Sequence, residues 1–486
     1  GDGACTGTGG PAPAGCGGAG VIGDLKPYAD YRDSGLDWLG SIPAHWGLLR
    51  AKRLFREVDE RSKTGKEELL SVSHLTGVTP RRLKNVTMFM AESNVGHKVC
   101  RPGDLVVNTL WAWMAALGVT RHAGIVSPAY GVYRPVEGGG MLPAFADHLL
   151  RTPLYAAEYQ RRSTGVNSSR LRLYPEQFLR MPVLLPPPDE QAAIVRFLAW
   201  ANGRLDRAIR AKRKVIALLT EQKQAIINRA VTRGIAEAVQ LIPSGNSLLE
   251  HIPADWELSA LRRRWQVLDC KHLTVPFVEN GTPLASVVQV RNFTLDLSSC
   301  KRTKPEWFRQ LIEGDRRPKR GDLIYCRNAS VGSCAIVDTD VEFAMGQDVC
   351  LIRSRDQNQR FLNYVLHSPF MKRQLDLLLV GSTFKRINVS DIKALTIPVP
   401  PKVEQDSICN YLDTELSRFD VATGRIAREI DLLREYRTRL IAGVVAGTFD
   451  VRTVVKTLPD EEVADLLDEP VDEADDADLV DEATEA

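Results

Sequence analysis

Ile42-Pro43-Ala44-His45-Trp46 is followed 210 residues later by Ile252-Pro253-Ala254-Asp255-Trp256, and this recurrence decides how the rest of the 486-residue chain is read. Working outward, Pro102-Gly103-Asp104-Leu105-Val106 is echoed by Arg320-Gly321-Asp322-Leu323-Ile324. Leu150-Arg151-Thr152-Pro153-Leu154 is echoed by Leu366-His367-Ser368-Pro369-Phe370, in the same order along the chain. Gly165 to Pro182 then parallels Gly381 to Pro398 at an offset of 216, which sets Arg170 against Arg386 and Leu171 against Ile387. After a two-residue shift, Pro186-Pro187 and Glu190-Gln191 match Pro400-Pro401 and Glu404-Gln405. Self-similarity at one period means that one structural unit is built twice.

Each half opens with short β-like runs (Asp104 to Asn108, Val132 to Pro135; Asp322 to Tyr325, Val349 to Ile352) broken by glycine and proline turns and short helices. Each then crosses a proline stop into a long helical pattern, Asp189 to Arg233 and Val403 to Val445. In the first, Ile194, Leu198, Leu205, Ile209, Ile216, Leu219, Ile226 and Ala230 recur at mixed steps of three, four and seven, which is a heptad seam. Ile408, Leu412, Phe419, Ile430, Leu433, Leu440 and Val444 carry the same seam in the second. The simplest burial of two such seams is against each other; the alternative is that each helix packs only on its own domain. The expected fold is α+β: two tandem mixed α/β domains joined by two long antiparallel coiled-coil helices, an internal repeat with pseudo-twofold character. The expected boundaries are a Gly-rich tail at 1–23, a first domain at 24–188, a central helix at 189–235, a second domain at 236–402, a C-terminal helix at 403–447 and an acidic tail at 459–486.

Composition agrees with a protein that buries sizeable cores, being 44% hydrophobic and 26% charged. No run of eighteen apolar residues occurs and the first 30 residues lack a signal-peptide pattern, so a cytoplasmic protein that neither spans nor enters a membrane is expected. Nine glycines in the first 20 residues predict a flexible tail, and the Gly15 to Gly20 match to a dinucleotide fingerprint lacks the flanking strand and helix. The formal charge of +2 conceals an asymmetry: Asp460 to Glu485 holds 14 acidic residues and no basic one, leaving 63 basic against 47 acidic, a net +16, over the rest. A body that basic points to a polyanionic partner. Nine scattered cysteines without a Cys-x-x-Cys pair read as reduced thiols rather than a disulfide framework or zinc ribbon.

Searches for catalytic motifs fail together. Asp189 and Glu221 stand 32 residues apart on one predicted helix, about 48 Å, too far to share a metal. Pro186-Pro187-Pro188-Asp189 lacks the polar lead and aromatic of an amino-methyltransferase turn, Gly65-Lys66 lacks the rest of a phosphate loop, and the eight histidines show no metal-ligand spacing. No catalytic residue and no metal ligand is assigned. Chemistry suited to DNA remains: Arg81, Arg82 and Lys84 in the first half, and Lys301, Arg302 and Lys304 at the corresponding place in the second. Such groups neutralise phosphates or read base edges. Asn108 with Trp111 and Trp113, Asn167 and Arg170 within Ser163 to Arg170, Arg327 with Asn328, and Thr383, Lys385 and Arg386 within Ser382 to Asn388 complete the candidates.

These residues give the chain a family resemblance. Tyr31-Arg32-Asp33-Ser34-Gly35-Leu36-Asp37-Trp38-Leu39-Gly40-Ser41 running into Ile42 to Trp46 resembles the start of the specificity subunit of type I restriction-modification systems. So do Gly103 to Asn108, Ala112-Trp113, Gly124-Ile125-Val126-Ser127-Pro128-Ala129-Tyr130 and Gly381-Ser382-Thr383-Phe384. The resemblance spans Tyr31 to Val451. It implies two target-recognition domains, each reading half of a bipartite double-stranded DNA site, with paired helices fixing the gap. It also implies two modification subunits that methylate adenine with S-adenosylmethionine, and restriction subunits that use ATP and Mg to translocate and cut; this chain itself would bind no cofactor. The alternative is the DNA-recognition part of a fused or split restriction-methylation enzyme, and a third reading is a coiled-coil scaffold. Gly124 to Tyr130 has no clear copy in the second half, where Glu342-Phe343-Ala344-Met345-Gly346 stands, so the two domains are expected to read different sequences.

Overall fold

The two Gly-Asp turns show why each domain folds as it does. Gly103 and Gly321 sit at φ +90° and +91°, a backbone region that side chains resist. The turn aims a buried aspartate back into the domain. Asp104 accepts Arg101 N–H at 2.9 Å and takes Arg134 Nε and Nη2 at 2.8 Å each, a bidentate pair. Asp322 repeats the arrangement, accepting Lys319 N–H and Arg353 Nε at 2.8 Å each.

The computed structural model describes residues 25–83, 93–165, 171–236, 238–291, 293–354, 356–379 and 386–459. Both tails lie outside them. The chain divides into two units, Gly1–Ala211 with Glu429–Ala486, and Lys212–Arg428, so the division falls inside both long helices.

In the first unit a four-stranded antiparallel sheet runs Phe55–Glu57, Gly131–Pro135, Leu105–Val107, Leu117–Val119 in space. A hairpin pairs Leu70–Ser73 with Gly77–Pro80, and Gly47–Arg50 pairs with Pro182–Leu185 beside the entry to the first long helix, Pro188–Arg233. Helices Pro143–Leu150 and Pro153–Arg162 cover the sheet with Phe145, Leu149, Tyr155 and Tyr159 buried. Ile194, Phe197 and Leu198 of the long helix join the same core as Ile42, Trp46 and, from the second long helix, Leu440 and Val444.

In the second unit Trp265–Asp269, Val349–Ser354, Leu323–Cys326 and Cys334–Ile336 form a sheet of the same order and sense. Glu257–Ala260 pairs with Thr396–Val399 beside the second long helix, Lys402–Val445. Ile408, Leu412 and Leu416 lie in one core with Ile227, Ala230 and Val231 of the first helix.

The two helices run antiparallel in each unit, as the seams predict. In the first, Asp206 pairs with Arg437 and Leu205, Ile209, Ile430 and Leu440 are buried. In the second, Lys223 Nζ stands 2.5 Å from Asp420 Oδ1. Burial is uneven along the seam: Ile194, Leu198, Ile408 and Leu412 are fully buried, whereas Ile216, Leu219, Ile226, Phe419 and Leu433 are half-buried. Two helices alone cannot cover both flanks of a seam, so full burial comes where a domain also packs against it. The two readings of the helices, paired and domain-packed, are therefore both partly right.

The doubled entry and helix-start motifs meet each other. Trp46 Nε1 donates to Glu190 Oε1 at 2.9 Å, and Trp256 Nε1 donates to Glu404 Oε2 at 2.9 Å. Gln191 Nε2 donates to Pro186 O at 2.8 Å while its Oε1 accepts Leu142 N–H at 2.7 Å. Gln405 does the same with Pro400 O at 2.9 Å and Asn358 N–H at 3.0 Å.

Two sequence readings are corrected. The offset of 216 from Gly165 to Pro182 does not hold to its end. Leu173 N–H bonds Thr109 O and Ile387 N–H bonds Arg327 O, both at 2.9 Å. Ala51 N–H bonds Met181 O as Leu261 N–H bonds Leu395 O, both at 2.8 Å. These pins set the offset at 214, so Arg386 is matched by Arg172 rather than Arg170. The length difference falls before residue 172, because backbone hydrogen bonds leave no slack after it. Second, the Glu342 to Gly346 segment does have a counterpart: Leu284 and Ala285 pair in parallel with Ala344 and Met345, as Leu69 bridges Ile125 in parallel. Backbone pairing preserves the place although the side chains differ. The structure also brings candidate metal-ligand atoms of Asp269, Cys270 and His272 together, which no histidine spacing announced.

Among the described residues, no helix is long and apolar enough to cross a membrane. Seven cysteines among the described residues are free thiols, Cys100, Cys270, Cys326, Cys334, Cys350 and Cys409 buried and Cys300 partly so.

Candidate nucleic-acid interface

Basic, amide and aromatic groups gather where the central strands end. In the second unit the strand Leu323–Cys326 runs into Arg327 and Asn328, and Asn328 bridges Arg386 on an incoming segment. Arg386 is half exposed and lies 3.5 Å from Asp348 Oδ1. Arg327 is different: it is 4% exposed, its N–H bonds Asp348 O at 2.8 Å and its guanidinium lies 3.4 Å from Asp269 Oδ1. It is the floor beneath Asn328 and Arg386, not a surface group.

In the first unit the strand Leu105–Val107 runs into Asn108 and then Trp111 and Trp113. Asn108 is buried; its Nδ2 donates to Tyr130 Oη at 3.1 Å and its Oδ1 accepts Leu110 N–H at 3.2 Å. It shapes the turn. Trp111 and Trp113 are half-buried with near-parallel rings, centroids 6.1 Å apart and planes 18° apart. Arg172, which the sequence reading passed over, lies in the counterpart of the Arg386 segment with its guanidinium 5.6 Å from the exposed Tyr174 ring. Only the pinning bonds to Thr109 and Arg327 could have revealed that match.

The two basic clusters take the same place by register but differ in local structure: Arg81 N–H bonds Leu69 O at 2.9 Å, and Lys301 pairs with Leu284, the counterpart of Leu69. Arg81 and Arg82 occupy a 3-10 turn, Arg81–Leu83, after a strand, and Arg82 pairs with Glu68 at 2.6 Å. Lys301 and Arg302 lie on a strand, Lys301–Thr303, and Lys304 stands just before the helix Pro305–Leu311. Lys301 Nζ stands 4.5 Å over the ring of Phe277, which is 56% exposed and was also missed, while Arg302 donates to Gly281 O at 3.0 Å. An exposed aromatic beneath a cation suits stacking against a base or sugar beside a phosphate. Lys84, Asn167, Arg170, Thr383 and Lys385 lie outside the described residues.

Residues 312–430, which include the Arg327 floor and Arg386, match the type I restriction modification DNA specificity domain. The chain resembles the specificity subunits of type I restriction-modification systems. It is 25% identical over 264 residues to the type I restriction enzyme MjaVIII specificity subunit of Methanocaldococcus jannaschii, covering 52% of this chain and 58% of that one. It is 26% identical over 87 residues to the EcoKI specificity subunit of Escherichia coli, covering 18% of this chain and 19% of that one. The match thus spans little more than half the length of the first relative. A solved chain from work on complex assembly and conformational transition of the type I R-M system superposes with a TM-score of 0.55 at 18% identity, covering 83% of this chain and 98% of that one. The fold is shared.

Proposed function

We propose that this chain is the sequence-specific DNA-binding specificity subunit of a type I restriction-modification complex, its two domains each reading one half of a bipartite site. The chain supplies the address; adenine methylation and cleavage, with S-adenosylmethionine, ATP and Mg, belong to partner modification and restriction subunits. One observation carries the reading. The same backbone frame is built twice, pinned by the bonds to Thr109 O and Arg327 O, and beside the matched Arg172 and Arg386 it presents Trp111 and Trp113 in one copy but Asn328 in the other. An invariant frame with different polar and aromatic groups is what reading two different half-sites requires.

Exchanging Ile42 to Leu185 for the equivalent segment of a relative should change one half of the methylated site and leave the other unchanged, as read by methylome sequencing. Both halves changing together would end the two-reader proposal. At residue level, Arg386→Ala in the assembled complex should weaken binding to the specific site by about 1–3 kcal/mol and relax one half-site if Arg386 contacts a base. Equal weakening on all sequences, with a smaller salt slope, would make it a phosphate contact. Unchanged affinity with an intact fold would remove it from the interface.

A further inference from the structure

We propose that Asp269, Cys270 and His272 form a binding site for one borderline-soft divalent cation of the zinc class, placed under the DNA-facing edge of the second domain. The strand Trp265–Asp269 ends on the first ligand. The chain then turns through His272, whose φ of +50° is a left-handed backbone costing a non-glycine residue about 1 kcal/mol. That turn folds the imidazole back over the buried Cys270 thiol instead of letting it trail into solvent. His272 Nε2 lies 3.0 Å from Asp269 Oδ2 and 3.9 Å from Cys270 Sγ, and Nδ1 lies 3.6 Å from the sulfur. One ligand atom from each residue falls within 4.8 Å of the others.

The two edges from His272 Nε2 lie within about half an ångström of those of a tetrahedral site. Bonds of about 2.1 Å to nitrogen and oxygen and about 2.3 Å to sulfur, meeting at the tetrahedral angle, put nitrogen and oxygen about 3.4 Å apart and nitrogen and sulfur about 3.6 Å apart. Rotamer adjustments of a few tenths of an ångström close the difference. Imidazole, thiolate and carboxylate together select zinc-like ions over magnesium or calcium, which take oxygen alone. The half-exposed His272 side leaves a fourth position for water.

Arg327 is the obvious objection, because its Nη2 stands 3.4 Å from both Asp269 Oδ1 and His272 Nε2. Both distances exceed a good hydrogen bond, and the buried Arg327 Nε has no partner. The guanidinium therefore does not already satisfy the two ligands. With Oδ2 turned to a metal, Oδ1 stays available to Arg327, the outer-shell pairing that orients metal-binding carboxylates. Its positive charge should still weaken cation binding relative to a three-ligand site without it. Arg327 carries Ile387 through its carbonyl oxygen, so an ion here would stiffen the frame under Asn328 and Arg386. The proposal rests on side-chain geometry and does not depend on what DNA the domain reads.

The test uses the purified full-length chain, stripped by a chelator, dialysed, and titrated with Co(II) alone. The expected result is a thiolate-to-cobalt charge-transfer band with tetrahedral d–d bands, saturating at about one equivalent and bleached by Zn(II). His272→Ala, at an exposed side chain whose loss should leave the fold and the far-ultraviolet spectrum intact, should abolish the d–d bands. Cys270→Ser should abolish the charge-transfer band. No saturable band in the wild-type chain, or a band that persists in both variants because other cysteines carry it, would overturn the proposal.

Discussion

Glu190→Ala is expected to destabilise the first unit by about 3–5 kcal/mol, seen as a lower denaturation midpoint for its tryptophan fluorescence transition. The carboxylate is 2% exposed and gathers three groups: Trp46 Nε1 at 2.9 Å, the Tyr28 hydroxyl, and His45 Nε2 at 2.7 Å. Burial, with the Glu190 carboxylate beside it, pushes the Tyr28 hydroxyl well above the ordinary tyrosine range, so it remains a donor. Truncation leaves the Trp46 and Tyr28 donors buried without partners, at about 1–3 kcal/mol each. Glu404 at the repeat position is the internal control. It is half-buried and takes one tryptophan donor, Trp256, at 2.9 Å. Glu404→Ala should cost only about 1–2 kcal/mol. Equal losses in the two variants, or a loss below about 1 kcal/mol for Glu190→Ala, would show that the Trp–Glu clasp does not fasten the first domain to its helix.

Mild acid should destabilise the second unit through His367. Burial is the main cause that lowers this imidazole to about 4 from an ordinary 6.5, against the hydrogen bond to Asn363 O at 2.8 Å that favours its charged form. Its ring stacks on Phe293 with centroids 3.8 Å apart and lies 3.6 Å from the Cys334 sulfur. Among the described residues no charged side chain pairs with it to offset the lost hydration. The sign follows from proton binding: between pH 6.5 and about 4 the unfolded chain holds a proton that the folded chain refuses, so stability falls with pH across that window. Relative to pH 8 the loss should reach about 2 kcal/mol at pH 5. His367→Gln keeps a donor for Asn363 O without titrating, and it should flatten the stability profile over the same window. A wild-type profile parallel to that of the variant between pH 7 and 5 would show that His367 is protonated in the folded state.

Much of the fold was legible from the chain alone because the signals were local and doubled. The proline stops and the heptad seams behind them located both long helices to within one residue at their starts, since proline suits the first helical turn and apolar periodicity follows from helix geometry. The Gly-Asp pairs marked turns that need a left-handed glycine, and strands followed both. The candidate interface was less legible. Asn108 and Arg327 look like surface groups in sequence, yet both are buried, because a polar side chain next to a strand end can turn inward to satisfy backbone and neighbouring groups as easily as outward.

What the sequence by itself determined is therefore the doubled plan: two α+β domains, two long amphipathic helices, and the order in which they follow. Only the tertiary structure decided that the C-terminal turns of the second helix, Leu440 and Val444, bury in the core of the first domain, that Arg172 is the true partner of Arg386, and that Asp269, Cys270 and His272 converge. The physical reason is common to all three. Periodicity and turn chemistry act over a few residues and leave a trace in every short window, whereas these contacts join segments or orient side chains through hydrogen bonds, packing and backbone turns whose distances exist only once the chain has closed on itself.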